Sequence, residues 1–193
     1  MDILTENLWE KFIDQRTQKF DGTKFEQLIG IILKRGFKGK WTQTKASWDD
    51  AHDFCEIRLW DNHKRWAECK MYHSSLGTHV FAKTLVLAVN KDIDIIYIFS
   101  YSPLVKNAFV HLGDFAQKSG KKIQVFDDVK LEMLILKLLS FNELKKTFPK
   151  LSEYQIRLIK PIDIYSSFYK DTTTSLSQFS EIDNFENLSL IHI

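Results

Sequence analysis

The sequence has only two cysteines, Cys55 and Cys69, among its 193 residues. Two thiols are too few for a disulfide scaffold or for a cysteine-based zinc site. Sparse cysteine is typical of a reducing compartment, so we expect a cytoplasmic protein. The first 20 residues carry four acidic side chains, lack a basic start and have no uninterrupted apolar segment, which excludes a secretory signal peptide.

Long apolar runs and a strong net charge are also missing. No uncharged apolar run is long enough to span a bilayer, so no membrane partner is expected. The formal charge of +2 and the pI of about 8.4 give no strong indication of nucleic-acid binding, although a local basic patch is compatible with them. Fifteen Phe, six Tyr and five Trp supply ample core for one domain, or for one domain plus part of another.

The apolar periodicity predicts a regular order of elements between residues 24 and 139. We predict helices at about 24–35, 78–90, 104–119 and 129–139, and strands within 37–50 and at about 53–60, 65–72, 93–100 and 122–126. This order, α, β, β, β, α, β, α, β, α, predicts an α/β fold with a mixed central sheet flanked by helices. Thr23 and Glu26 match the capping-box pattern, and residues 5–20 have apolar side chains at roughly helical spacing.

The composition changes after Ser140. Residues 141–151 are interpreted as a lysine-bearing connector with Pro149, and residues 154–193 as short strands in a β-rich C-terminal extension. We therefore divide the chain into residues 1–140, the main domain, and residues 141–193, a connector and a partial segment that could begin a second domain.

One strand carries charged residues at its centre. In an extended chain Glu68 and Lys70 share one face, with Trp66 and Tyr72 beside them, while Ala67, Cys69 and Met71 face the other way. A carboxylate and an ammonium on a buried sheet are costly unless they are paired or used. The pair is therefore the first candidate for a functional site.

A third charged residue, Asp53, begins the preceding strand of the predicted hairpin. If the hairpin turns near residues 61–64, Asp53 returns close to Glu68 and Lys70. Two nearby carboxylates favour a cation between them, and oxygen ligands suit Mg²⁺. A neighbouring lysine can orient an attacking water or neutralise developing phosphate charge, and helical Glu26 can reach the same pocket. This is a suitable set for phosphodiester hydrolysis.

The order Asp53, then Glu68-Cys69-Lys70, resembles the signature of PD-(D/E)xK nucleases. It is similar in particular to the Mrr-like branch of restriction endonucleases, which occurs in type IV restriction and anti-phage defence proteins. The similarity covers roughly residues 20–140, and further matching features are Phe25-Glu26, Gly36-Phe37, Phe99-Ser100, Ala108, Ala116 and Phe126-Asp127-Asp128. The stretch Asp49-Asp50-Ala51-His52-Asp53 lacks both glycines that the branch has before its metal-binding aspartate.

The resemblance implies a restriction-endonuclease-like fold and a Mg²⁺-dependent endonuclease that cuts DNA, with Mn²⁺ as an alternative ion. Asp53 and Glu68 would bind the metal, Lys70 would assist the attack, and Glu26 would be a fourth member. A homo-oligomer or a larger defence assembly is expected, because cutting both strands with this fold generally takes two active sites. Lys38, Lys40 and Lys45 are candidates for contacts to the DNA backbone.

Several alternatives remain open at the level of sequence. The protein could be an inactive nuclease-fold module that binds DNA or a protein partner, or it could cleave RNA. Glu68 and Lys70 could form an exposed ion pair on an edge strand, and Asp53 could be a turn residue. Glu26 could serve only in a capping box. The three lysines could belong to a solvated loop.

Overall fold

The structure, a computed structural model, describes residues 6–14, 16–37, 39–44, 53–57, 63–152 and 155–156. Five α-helices span Gly22–Gly36 (α1), Ala82–Asn90 (α2), Lys106–Ser119 (α3), Asp128–Leu138 (α4) and Phe141–Thr147 (α5). Five strands span Lys40–Gln43 (β1), Phe54–Ile57 (β2), Arg65–Lys70 (β3), Ile95–Ser100 (β4) and Lys122–Asp127 (β5). Glu6–Phe12 and Thr78–Phe81 form short 3-10 helices.

The strands form one sheet in the order β1-β2-β3-β4-β5. Antiparallel pairing joins β1 to β2 and β2 to β3, whereas β3, β4 and β5 are parallel to one another. Every residue of β4 is buried, as expected for an apolar strand covered on both faces. The predicted α/β class, with a mixed sheet flanked by helices, is confirmed, and so is the order of elements from residue 24 to residue 139.

Two apolar layers cover the sheet. One contains buried side chains of α1 and α4 together with Ala67 and Cys69 of β3. The other contains buried side chains of α2 and α3 together with Trp66. The alternation predicted for β3 is confirmed, since successive residues enter opposite layers.

The first 20 residues differ from the predicted helical pattern. Within the described part of this stretch, only Glu6–Phe12 is helical, as a 3-10 helix, and Ile13 then forms an antiparallel bridge with Phe20. Asp21, not Thr23, is the N-cap of α1, because its carboxylate accepts the backbone N–H of Lys24 at 3.2 Å. The predicted capping box of Thr23 and Glu26 is therefore wrong.

The segment after Ser140 was expected to be a connector, and this is wrong for α5. Ser140 and Glu143 form a capping box at its start. Leu144 and Phe148 are fully buried in the layer of α1, where Phe148 packs edge-on against Trp9 with ring centroids 5.2 Å apart. Residues 157–193 lie outside the described residues, so the two-domain division and the β-rich extension stay predictions.

Smaller differences occur at the ends of the elements. The helix expected from residue 104 begins at Lys106, because Leu104 bridges to Leu76. The strand expected at 93–100 begins at Ile95, and the one expected at 65–72 ends at Lys70. Among the described helices, none combines the length and the apolar character needed to cross a membrane.

Candidate active site

Strand β3 holds the two charged residues that the sequence singled out. It lies between β2 and β4, and its residues are buried except for the last, Lys70, which is half-buried. Glu68 and Lys70 form an ion pair through Oε1 and Nζ, with side chains 5% and 22% exposed. The alternative of an exposed pair on an edge strand is wrong, because β3 is a central strand.

The second carboxylate oxygen of Glu68, Oε2, is buried and accepts no hydrogen bond from a described residue. Burial raises the pKa of Glu68 from 4.5 to about 7, against the opposing effect of the Lys70 ammonium. Burial has the largest single effect and would lower the pKa of Lys70, but Glu68, Asp53 and Tyr72 together outweigh it and the pKa is raised. The ion pair thus forms although burial disfavours the ionised carboxylate of Glu68.

Asp53 lies across the hairpin from Glu68. Phe54 pairs with Ala67, and the Asp53 N–H donates to the Ala67 carbonyl at 2.9 Å. The Asp53 carboxylate accepts the backbone N–H of Cys69 at 2.6 Å, which fixes it against β3. Burial raises the pKa of Asp53, whereas the Cys69 N–H and Lys70 lower it. The preceding residues 45–52, including the stretch without glycines, lie outside the described residues.

Glu26 reaches the same place from the second turn of α1. Its Oε2 accepts a hydrogen bond from the Gln43 side-chain amide at 2.9 Å. Burial raises the pKa of Glu26, and the negative charge of Asp53 raises it further. Because Asp21 and not Thr23 caps the helix, Glu26 takes no part in a capping box, and its carboxylate is available to this cluster.

All four groups lie near Cys69. Burial raises the pKa of its thiol well above the usual value, and the nearby charges of Asp53, Glu68, Glu26 and Lys70 all act on it. The structure thus places Asp53 beside the Glu68–Lys70 pair, across the β2–β3 hairpin, and Glu26 near Asp53 and Lys70. They form an acidic cluster with one ammonium at the carboxyl end of β3.

The cluster fits a hard divalent cation in its chemistry. Within the described parts of the chain, no three His, Cys, Asp or Glu side chains come together as the ligands of one ion. Mg²⁺ usually takes one or two carboxylates and keeps several waters, so Asp53 and Glu68 suffice in number. The unpartnered Oε2 of Glu68 is a buried acceptor that a cation would satisfy.

Two residues of the cluster were missed from the sequence. Gln43, at the exposed end of β1, holds Glu26. Thr84 of α2 is 2% exposed and hydrogen-bonds to Glu68, which lowers the pKa of that carboxyl against its burial. Thr84 left one signal, a hydroxyl residue directly before the apolar run Leu85–Val89, whereas Gln43 left none, since it lies in a polar stretch.

Of the three lysines proposed for DNA contacts, the structure describes one, Lys40. Lys38 and Lys45 lie outside the described residues. Lys40 is exposed at the start of β1 and pairs with Ile57, whereas Gln43 pairs with Phe54 near the site. Three strand residues, about 10 Å, separate Lys40 from Gln43.

Two further polar residues at the same level of the sheet have structural partners. Lys70, Ser100 and Asp127 are in register at the carboxyl ends of β3, β4 and β5. Ser100 donates to the Ser102 carbonyl at 2.6 Å, and Asp127 accepts the Leu104 N–H at 2.9 Å. Asp127 occupies the N-cap position of α4 but makes no capping bond with its side chain. These side chains fix the loop after β4 beside the cluster.

Comparisons with known proteins do not assign the roles of Asp53, Glu68 and Lys70. No protein-family model matches this chain, and the comparison with curated proteins gives no match either.

Proposed function

We propose that the chain is a Mg²⁺-dependent endonuclease that hydrolyses DNA phosphodiester bonds, as the effector domain of a restriction or anti-phage defence system. One observation carries the proposal: the Asp53 carboxylate is bonded to the β3 backbone at Cys69, between the ion-paired Glu68 and Lys70, and Glu68 Oε2 is buried and unpartnered. The order of these residues along the chain, which resembles the PD-(D/E)xK signature, supports the DNA substrate and the role in defence.

Asp53 and Glu68 would hold Mg²⁺, or Mn²⁺ in its place. The ion, when bound, supplies charge stabilisation at the phosphate and lowers the pKa of a coordinated water. Carboxylates bind cations in the ionised form, so binding requires Glu68 to lose the proton that burial favours near neutral pH.

The chain's own residues account for the remaining chemistry. Lys70, whose pKa is raised against its burial mainly by Glu68, stays protonated at neutral pH and can hold the attacking water or neutralise charge on the phosphate. Glu26, with a pKa raised first by burial, is suited to accept a proton from that water. The reaction forms one bond from water oxygen to phosphorus and breaks one ester bond, and the leaving oxygen takes up a proton.

A second candidate is an inactive nuclease-fold module that binds DNA or a protein partner. The direct ion pair between Glu68 and Lys70 favours it, because each group neutralises the other while no substrate is present. A catalytic site must loosen this pair when a phosphate arrives, whereas a binding module can keep it.

The proposal extends to partners and location. Breaking both strands of a duplex requires two such sites, so the proposed active form is a homo-oligomer or a larger defence assembly. Lys40, together with Lys38 and Lys45, is proposed to contact the DNA backbone, and the cytoplasm is the proposed compartment.

The test is cleavage of supercoiled plasmid DNA by the full chain, with Mg²⁺, with Mn²⁺ and with EDTA. We expect nicked or linear DNA only with metal, and a loss of about 100-fold in rate for Glu68→Gln and for Lys70→Met. Lys118→Met is the matched control, because Lys118 is an exposed lysine at the other end of the sheet. Unchanged cleavage by Glu68→Gln would refute the assignment.

A parallel binding measurement separates the two candidates. Retarded migration of DNA on a gel, with no cleavage under any metal condition, would favour the binding module. An RNA substrate of the same sequence, tested in parallel, would reveal RNA cleavage. Mg²⁺ should also raise the melting temperature of the wild type but not of Glu68→Gln, because the ion binds only the folded site.

A further inference from the structure

Tyr72 is an exposed aromatic residue beside the proposed active site. Its side chain follows Lys70 by two positions and is 46% exposed. Tyr72 lies just beyond the end of β3, and residues two apart have Cα atoms at most about 7 Å from each other. Tyr72 also acts electrostatically on Lys70. Burial lowers the pKa of Lys70, whereas Glu68 first, and Tyr72 to a smaller extent, raise it. Tyr72 therefore lies within reach of the ammonium, just beyond the carboxyl end of β3.

The backbone beneath this ring is fixed by the loop after β4. The Lys70 carbonyl accepts the Tyr101 N–H at 3.0 Å, and the Tyr72 carbonyl accepts the Ser102 hydroxyl. A little further on, Leu76 exchanges two backbone hydrogen bonds with this loop, each 3.0 Å long. A backbone held at several points loses little further freedom when a ligand contacts the side chain that it carries.

The neighbouring rings are already engaged with one another. His73 stacks on Phe20 with centroids 4.0 Å apart, and Phe20 contacts Tyr101 edge-on at 5.0 Å. No ring of another described residue stacks on Tyr72. It is thus the aromatic face at this end of the sheet that a planar ligand can cover.

We propose that Tyr72 is a stacking platform for a nucleobase of a single DNA strand bound at the Glu68–Lys70 site. The inference rests on the proposed function, because it takes the strand to be held there by its phosphate. A ring beside the ammonium that meets the phosphate lies within reach of the base on that nucleotide. Stacking on tyrosine uses the π-face that every base has, so it gives affinity without a preference for sequence.

The test measures binding without cleavage, in EDTA, with the full chain. One probe is fluorescein-labelled oligothymidylate of about 15 nucleotides. The second has the same length and phosphates but abasic spacers throughout. We expect Tyr72→Ala to weaken binding of oligothymidylate about tenfold and to leave binding of the abasic probe unchanged, whereas Tyr72→Phe keeps the wild-type values. Val86→Ala is the control, since Val86 is an exposed apolar side chain on α2.

Each outcome decides. If wild type binds oligothymidylate and Tyr72→Ala binds it equally well, the platform is refuted and the proposed function is untouched. If Tyr72→Ala loses affinity equally for both probes, the side chain acts on the phosphate backbone and the base-stacking role is refuted. If wild type binds neither probe and cleaves no plasmid, the inference and the proposed function fail together. An oligouridylate probe bound more tightly than the DNA would assign the platform to RNA instead.

Discussion

Replacing Glu68 by glutamine should stabilise the metal-free protein at neutral and alkaline pH. The Glu68 side chain is 5% exposed, and burial raises its pKa from 4.5 to about 7 although Lys70 opposes the change. Glutamine has the shape of the protonated carboxyl and stays neutral at every pH. The substitution therefore removes the burial of a charge without opening a cavity.

The sign and size follow from proton linkage. A carboxyl with a raised pKa binds its proton more tightly in the folded state, so its contribution is fully present below about pH 4.5 and is lost as pH rises through about 7. At about 1.4 kcal/mol per pKa unit, this loss amounts to about 3 kcal/mol in the wild type and is absent in Glu68→Gln. Asp53 and Glu26, whose pKa values burial also raises, are present in both proteins and largely cancel in the comparison.

The assay is urea unfolding in EDTA at a series of values from about pH 4.5 to about pH 8. The two proteins should have similar stability at the acid end, and Glu68→Gln should be the more stable by about 3 kcal/mol at the alkaline end. Glu143→Gln is a control for which the change in stability with pH should have the opposite sign. Hydrogen bonds from Ser140 and the charge of Arg35 lower the pKa of Glu143 against its slight burial. A difference between wild type and Glu68→Gln that does not change with pH would refute the reasoning.

Two further predictions concern the neighbours of the site and the far end of the sheet. Gln43→Leu should raise the pKa of Glu26 further above its usual value, because it removes a hydrogen bond that lowers it against burial; carbon-13 NMR titration of the Glu26 carboxyl measures this, and a fall would contradict it. Arg65→Met should destabilise the fold by about 3 kcal/mol, since it leaves Glu56 buried without the cation 2.5 Å away. Adding Glu56→Leu should recover most of that loss in urea unfolding, and no recovery would count against the buried pair.

The sequence was most informative where periodicity was strong and contacts were local. The alternation in β3 was predictable because successive side chains of a strand point to opposite faces, and an apolar layer covers each face of this sheet. The proximity of Asp53 to Glu68 followed from a hairpin with a short turn. Both inferences need only the geometry of one strand and its antiparallel neighbour.

Contacts between distant segments were not predictable in the same way. Gln43 reaches Glu26 because β1 lies beside α1, and Thr84 reaches Glu68 because α2 covers that face of β3. No local pattern encodes either contact. The capping error has a different cause, since Asp21 and Thr23 are both good caps and the sequence does not rank them. The helix α5 was missed although Ser140 and Glu143 match the capping-box pattern, because Pro149 and the lysines suggested a linker.

The sheet contains two buried ion pairs, and the difference between them bears on the role of Glu68. Arg65 and Glu56 form a buried ion pair at one end of the β2–β3 hairpin, and Glu68 and Lys70 form another at the other end. Only three buried side-chain polar atoms of the described residues lack a partner, two indole nitrogens and Glu68 Oε2, so both Glu56 oxygens are exposed or bonded. A purely structural pair is expected to leave no carboxylate oxygen buried and unsatisfied, because such an acceptor is costly. The orphaned oxygen at the Lys70 end therefore favours a carboxylate kept for a ligand, and local rules of stability are broken most often at functional sites.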